Sequence, residues 1–212
     1  MTTLSAEIQA FREQFVANVP EEVLQTLLDE TAKLVATGIA ERALGVGDQF
    51  PDADLTDAHG NKVALRELLS NGPTIINFYR GEWCPYCNLE INAFQRLLPE
   101  IKSKGAQMVA ISPQTPDKSL TVAEKHALEF PVLSDAGNTL ARDLGLVFNL
   151  PDALKTAYTN FGFPLPDYNG DDSWTLPVPA TYVVDASGRI TYAFVDADYS
   201  QRAEPREVLD SI

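Results

Sequence analysis

The chain has 212 residues, 45% of them hydrophobic and 22% charged, which is enough to bury a core in a globular protein. Thirty Asp and Glu face 16 Lys and Arg, and the net charge of −14 with no basic cluster argues against nucleic acid and anionic membranes as partners. No apolar run approaches a membrane span, and Met1-Thr2-Thr3-Leu4-Ser5 lacks the basic and apolar regions of a secretory leader, so the expected location is the cytoplasm.

Residues 4–44 read as two amphipathic helices. Leu4, Ile8, Phe11 and Phe15 recur at helical spacing, and Val23, Leu24, Leu27, Leu28, Leu34 and Val35 do so after Pro20. Pro20-Glu21-Glu22 has a proline and two acids where a helix N-terminus favours them. The apolar stripes must be covered, either by the same chain or by a second copy in a homodimer. Composition changes at Gly45-Val46-Gly47-Asp48, which divides a helical extension (1–44) from a domain (45–212).

The domain opens with an edge hairpin over 50–63, turning at Gly60-Asn61, and a brief helix over 65–69. Residues 74–79 form a buried strand. A helix then runs from Cys84 or Pro85 to Gly105, and 107–112 form a second strand, giving a βαβ unit with a parallel pair. A helix over 119–129, a short strand over 130–133 and a helix over 138–144 follow. Residues 148–176 carry Pro, Gly, Asp and aromatics and read as a long irregular insertion. Phe161, Phe163, Tyr168 and Trp174 in it either wall an apolar pocket or form a satellite core. A hairpin over 180–195 and a helix over 205–212 end the chain. This order predicts an α/β fold with a central mixed β-sheet flanked by helices.

The only two cysteines are Cys84 and Cys87, in Trp83-Cys84-Pro85-Tyr86-Cys87. The spacing brings two sulfurs within bridging reach. Cys84 lies past the carboxyl end of a central strand and at a helix N-terminus, where unpaired N–H groups favour the thiolate and lower its pKa below about 8.5. A thiolate attacks a disulfide or a peroxide O–O bond, and the second thiol then captures the oxidised first. Zinc would need about four ligands. Only His59 and His126 could add nitrogen, neither at a suitable spacing, so neither metal nor organic cofactor is expected. Two inert core thiols are the plainer alternative.

Phe78-Tyr79-Arg80-Gly81-Glu82-Trp83-Cys84-Pro85-Tyr86-Cys87-Asn88-Leu89-Glu90, preceded by Val46-Gly47-Asp48-Gln49-Phe50-Pro51, resembles the alkyl hydroperoxide reductase/thiol-specific antioxidant superfamily. Within it, the chain looks like the peroxiredoxin-like group that carries a C-x-x-C. The resemblance runs from about residue 45 onward and implies a thioredoxin-like fold. It implies a thioredoxin-dependent peroxidase with an antioxidant role in cell redox homeostasis. Peroxide is then the substrate, Cys84 and Cys87 form a redox-active disulfide, and a dithiol such as thioredoxin or glutaredoxin donates electrons. The alternatives are a thiol-disulfide oxidoreductase and a redox sensor without turnover.

Two registers compete. The peroxiredoxin pattern P-x-x-x-T-x-x-C puts Cys87 at the attacking position, Cys84 where the Thr belongs and Arg80 where the Pro belongs. The thioredoxin pattern makes Cys84 the attacker. Pro179 resembles the cis-proline of thioredoxin-like reductases, in the slot where peroxiredoxins keep a thiolate-binding Arg; its plain reading is a trans proline starting a strand. Arg80, Arg202 and Arg206 are candidate replacement cations, with surface charge as the plain reading. Trp83 and Tyr86 are expected to shape the substrate surface, with partly buried aromatics flanking a turn as the plain reading; Pro85 is expected to open the helix, and Glu82 either to move a proton or to solubilise.

Overall fold

The computed structural model describes residues 2–212. The extension forms α1 (Leu4–Asn18), α2 (Glu21–Ala36) and a further short α3 (Ile39–Arg42). Thr3 caps α1 through its hydroxyl, and Val19-Pro20 breaks the chain before α2. The hairpin is β1 (Asp54–Asp57) and β2 (Lys62–Ala64), followed by α4 (Leu65–Leu69). The βαβ unit is β3 (Thr74–Phe78), α5 (Pro85–Ser103) and β4 (Gln107–Ser112). Then come α6 (Pro116–Lys125), β5 (Val132–Ser134), a 3-10 turn at Ala136–Asn138 and α7 (Thr139–Asp143).

Two expectations change here. The helix α6 starts about a turn earlier than the apolar spacing suggests, because Pro116 occupies its first turn after Thr115. The stretch over 148–176 is not irregular. It holds β6 (Val147–Asn149), α8 (Asp152–Asn160), α9 (Leu165–Asn169) and β7 (Thr175–Pro177). Each is short and flanked by proline or glycine, so no periodic pattern had room to develop. The chain closes with β8 (Ala180–Val184), β9 (Ile190–Val195) and α10 (Pro205–Asp210).

Seven strands make one mixed sheet in the order β2-β1-β5-β4-β3-β8-β9, and β6 and β7 pair separately. β3 lies at its heart, parallel to β4 and antiparallel to β8, with Ile76 opposite both Val109 and Tyr182. All five β3 residues are buried, as a strand covered on both faces requires. Period-two alternation divides the core. Ile76, Phe78, Val109, Ile111 and Tyr182 pack with Leu65, Leu140 and Leu144 on one face. Ile75, Tyr79, Met108 and Val183 pack on the other with α5, through Cys84, Cys87, Ile91, Phe94 and Ile101. A third cluster joins Leu27 of α2 to Leu154, Tyr158, Leu165 and Leu176.

The apolar stripes of the extension fold back onto their own chain. Ile8 and Phe11 rest on the α5 layer, and Phe15, Val23 and Leu27 on the third cluster. Val16, Leu28 and Val35 stay exposed. The Glu204 carboxylate clamps the start of α1, accepting hydrogen bonds from the N–H groups of Leu4 (3.1 Å) and Ser5 (3.2 Å) and from the Ser5 hydroxyl (3.2 Å). Arg96 on α5 adds an ion pair to Glu7 at 2.7 Å. Among the described residues, no helix is long and apolar enough to cross a membrane.

Glu204→Ala removes this anion from the α1 N-terminus, at a cost of about 1–2 kcal/mol to the docking of α1. Hydrogen exchange in residues 4–18 should accelerate while β3 and β4 keep their protection. Unchanged exchange in α1 would show that the clamp does not hold it.

Candidate active site

β3 runs into Tyr79-Arg80-Gly81, and the chain then turns to start α5. Gly81 sits at φ +155°, where a Cβ would collide with the Trp83 indole. Glycine here lets the ring fold over the turn. Cys84 is the N-cap of α5 in extended geometry, and Pro85 follows at the first helical position, where a missing N–H costs nothing. Both cysteines are free thiols and wholly buried. Their sulfurs lie 2.7 Å apart, with the Cys87 S–H donating to Cys84.

Two arginines reach these sulfurs. The Arg80 guanidinium contacts Cys84 Sγ at 3.5 Å and donates to the Tyr158 hydroxyl at 3.0 Å. It is wedged between the Tyr199 ring (4.1 Å to the centroid) and the Trp83 ring (5.1 Å), so cation–π contact replaces much of its water. Arg202 donates to Cys87 Sγ at 3.4 Å. It also donates to the Tyr199 and Gln201 carbonyls. Its Nε lies 2.7 Å from the Glu90 carboxylate, both side chains being 1% exposed. That contact is a charge pair, not an aligned hydrogen bond. Glu90 sits one turn beyond Cys87 and accepts from the Thr181 hydroxyl at 3.0 Å, and Thr181 accepts in turn from the Asn77 amide at 3.0 Å.

This environment separates the two thiols. Burial alone would raise the Cys84 pKa, but the Cys87 S–H and the Arg80 and Arg202 charges hold it well below the ordinary thiol value. Burial and the neighbouring Cys84 sulfur push Cys87 well above it, against the pull of the arginines. The environment thus draws Cys84 toward the thiolate and Cys87 toward the thiol. Glu90 is raised by burial, and Arg202 is the main force opposing that rise.

The plain reading of Arg80 and Arg202 as surface charge is thus corrected: Arg80 is 4% exposed, and both arginines are site residues. Arg206 is the surface residue, paired with Glu100 at 2.6 and 3.1 Å. Pro179 is buried but trans, since no cis peptide bond occurs among the described residues. The Val178 N–H bonds to the Leu146 carbonyl, keeping the chain extended between β7 and β8. Trp83 stacks on Phe163 at 4.9 Å, and Tyr86 meets Phe11 edge-on at 5.1 Å and Tyr199 at 5.7 Å. Glu82 is held by its backbone, through Gln114 and Asn88, and its carboxylate makes no hydrogen bond to either sulfur. Glu90, Tyr158 and Tyr199 joined the site unannounced. Only Glu90 gave a signal, as a charge within the buried stripe Cys87, Ile91, Phe94, Leu98 of α5. Among the described residues, no group of three or more His, Cys, Asp or Glu comes together to hold a metal.

The AhpC/TSA family model matches residues 46–193, and the chain belongs to that family. The chain is 28% identical over 164 residues to the chloroplastic peroxiredoxin Q of Gentiana triflora, covering 77% of this chain and 63% of that protein. It is also 28% identical over 108 residues to the thiol-disulfide oxidoreductase ResA of Bacillus thuringiensis, covering 50% of this chain and 61% of that one. It thus spans less than two thirds of these relatives' length. The crystal structure of the peroxidoxin BcpB from Mycobacterium tuberculosis superposes with a TM-score of 0.63 at 24% identity, over 79% of this chain and 96% of that one. The fold is thioredoxin-like, and α1, α2 and α3 lie outside the family match.

The thiolate absorbance of the reduced protein should titrate below the ordinary thiol range, and Arg80→Met should move the midpoint upward. A wild-type midpoint at the free-cysteine value would contradict the geometry. Glu90→Gln leaves Arg202 buried without its countercharge, destabilising the fold by about 3–5 kcal/mol in urea unfolding. The double variant Glu90→Gln/Arg202→Met should lose less than the sum of the two single variants. Strict additivity would mean that the pair does not interact.

Proposed function

We propose that the protein is a thiol-dependent peroxidase, with Cys84 as the attacking thiolate and Cys87 as the resolving thiol. One observation carries this reading: a Cys84 sulfur held by Arg80 at 3.5 Å and lying 2.7 Å from its partner sulfur. The Cys84 thiolate attacks one peroxide oxygen. The O–O bond breaks, an S–O bond forms, and the Cys87 proton passes to the departing alkoxide or hydroxide. Cys87, now a thiolate, attacks Cys84 Sγ and expels hydroxide, which leaves a Cys84–Cys87 disulfide. Arg80 faces the charge that develops on oxygen during the first step.

A dithiol donor such as thioredoxin or glutaredoxin then reduces the disulfide, in the cytoplasm, where such donors are kept reduced. Residues 1–44 act as a cap on the 45–212 domain, whether the protein works as a monomer or a homodimer. Trp83, Pro85 and Tyr86 shape the approach to Cys84. The oxidoreductase alternative draws support from the match to ResA, but it requires a protein disulfide to reach Cys84. Here that sulfur has no exposed surface, and a small peroxide needs far less room.

Stopped-flow oxidation by hydrogen peroxide and by an organic hydroperoxide should proceed at least about a hundredfold faster than for free cysteine. Cys84→Ser should abolish the reaction, and Cys87→Ser should leave a Cys84 sulfenic acid that dimedone traps. A free-cysteine rate would refute the peroxidase reading, and a sulfenic acid trapped on Cys87 in Cys84→Ser would reverse the two roles.

A further inference from the structure

A cavity of about 260 Å³ opens beside the thiols. Its floor is Arg80, whose guanidinium touches Cys84 Sγ at 3.5 Å. Its walls are almost wholly aromatic or aliphatic. Phe11 and Phe15 come from α1, Leu27 from α2, and Tyr158 with Phe161 and Phe163 from α8 and the loop after it. Phe163 stacks parallel on Trp83 and Phe11 stands edge-on to Tyr86, so the walls brace the two aromatics flanking Cys84. The wall from α1 and α2 lies outside the segment that the family model matches.

We propose that this cavity is the binding site for the organic group of a compact, ring-bearing hydroperoxide, and that Phe11, Phe15 and Leu27 determine that specificity. The inference rests on the peroxidase reading and adds to it the substrate class. Three observations select the occupant. The volume of about 260 Å³ is more than hydrogen peroxide alone would fill. The lining offers ring faces and edges, which favour an aromatic group over a polar one. The single cation at the floor meets the alkoxide that leaves when Cys84 attacks, while the apolar part stays against Phe11 and Leu27. Cys84 itself does not line the cavity, so the terminal oxygen of a peroxide bound this way reaches the sulfur past Arg80, between the flanking Trp83 and Pro85. Sulfur takes that oxygen, the O–O bond breaks, and the alkoxide takes the Cys87 proton to leave as the alcohol. The walls are held in place, since Glu204 and Arg96 anchor α1 beside them.

The test compares kcat/KM for cumene hydroperoxide with kcat/KM for hydrogen peroxide, in the full chain with a dithiol donor. The wild type should prefer cumene hydroperoxide. Phe11→Ala should lower the ratio of the two values by at least about tenfold, the weight of one large apolar contact. Leu27→Trp fills the cavity without emptying a core and should lower the same ratio as much, mainly through KM for the bulky peroxide. Circular dichroism confirms that each variant is folded. A ratio that stays at the wild-type value in Leu27→Trp overturns the inference, as does a wild type that prefers hydrogen peroxide. Both outcomes leave the peroxidase reading intact. That reading fails separately, if the wild type reduces neither peroxide faster than free cysteine does.

Discussion

Two arginines are buried against two sulfurs, and only one carboxylate, Glu90, lies among them. Burying an uncompensated cation is expensive, so the missing negative charge must come from a sulfur. Cys84 is the sulfur that both arginines and the Cys87 thiol draw toward the thiolate. This charge balance orders the site. Arg202 is fixed by Glu90, Glu90 by Thr181, and Thr181 by Asn77 on the central strand. Arg80 is fixed by Tyr158 and by the rings of Tyr199 and Trp83. Oxidation to the disulfide would remove the thiolate and leave Arg80 without a counter-ion. The balance therefore favours the reduced form and makes the disulfide easier to reduce.

The same constraint explains why the site needs a cover. A thiolate in water gains little from an arginine several ångströms away, because bulk water screens the attraction. Under α1, α2 and α8 the attraction is stronger, and the thiolate is kept from adventitious reaction. Of these three helices α1 and α2 lie outside the family match, whereas α8 and the setting of the sulfur, a strand end followed by a helix start, lie inside it.

Much of the fold was legible because its signals are local. The apolar run Ile75-Ile76, the helical stripe from Cys87 to Ile101 and the glycine turns mark β3, α5 and β4 with bounds close to those observed. The spacing of Cys84 and Cys87 marked the chemistry. The partners of the sulfurs were hidden for a physical reason. Arginine usually keeps its head in water, so nothing in the sequence separates a buried Arg80 from an exposed Arg206. Arg202 and Tyr199 lie in an irregular stretch after β9, with no period to aim them. Tyr158 sits on a nine-residue helix bounded by Pro151 and Gly162, too brief to announce itself. The cis-proline expectation at Pro179 failed because the pairing of Val178 with Leu146 carries an extended chain through that position.

The central claim is that Cys84 is the thiolate and Cys87 the thiol of one buried pair. Carbon-13 chemical shifts of the two cysteine Cβ atoms, followed across neutral pH in the reduced, selectively labelled protein, report each protonation state directly. A thiolate shift is expected at Cys84 and a thiol shift at Cys87 throughout that range. A thiol shift at Cys84 with a thiolate shift at Cys87, or thiol shifts at both, would contradict the claim.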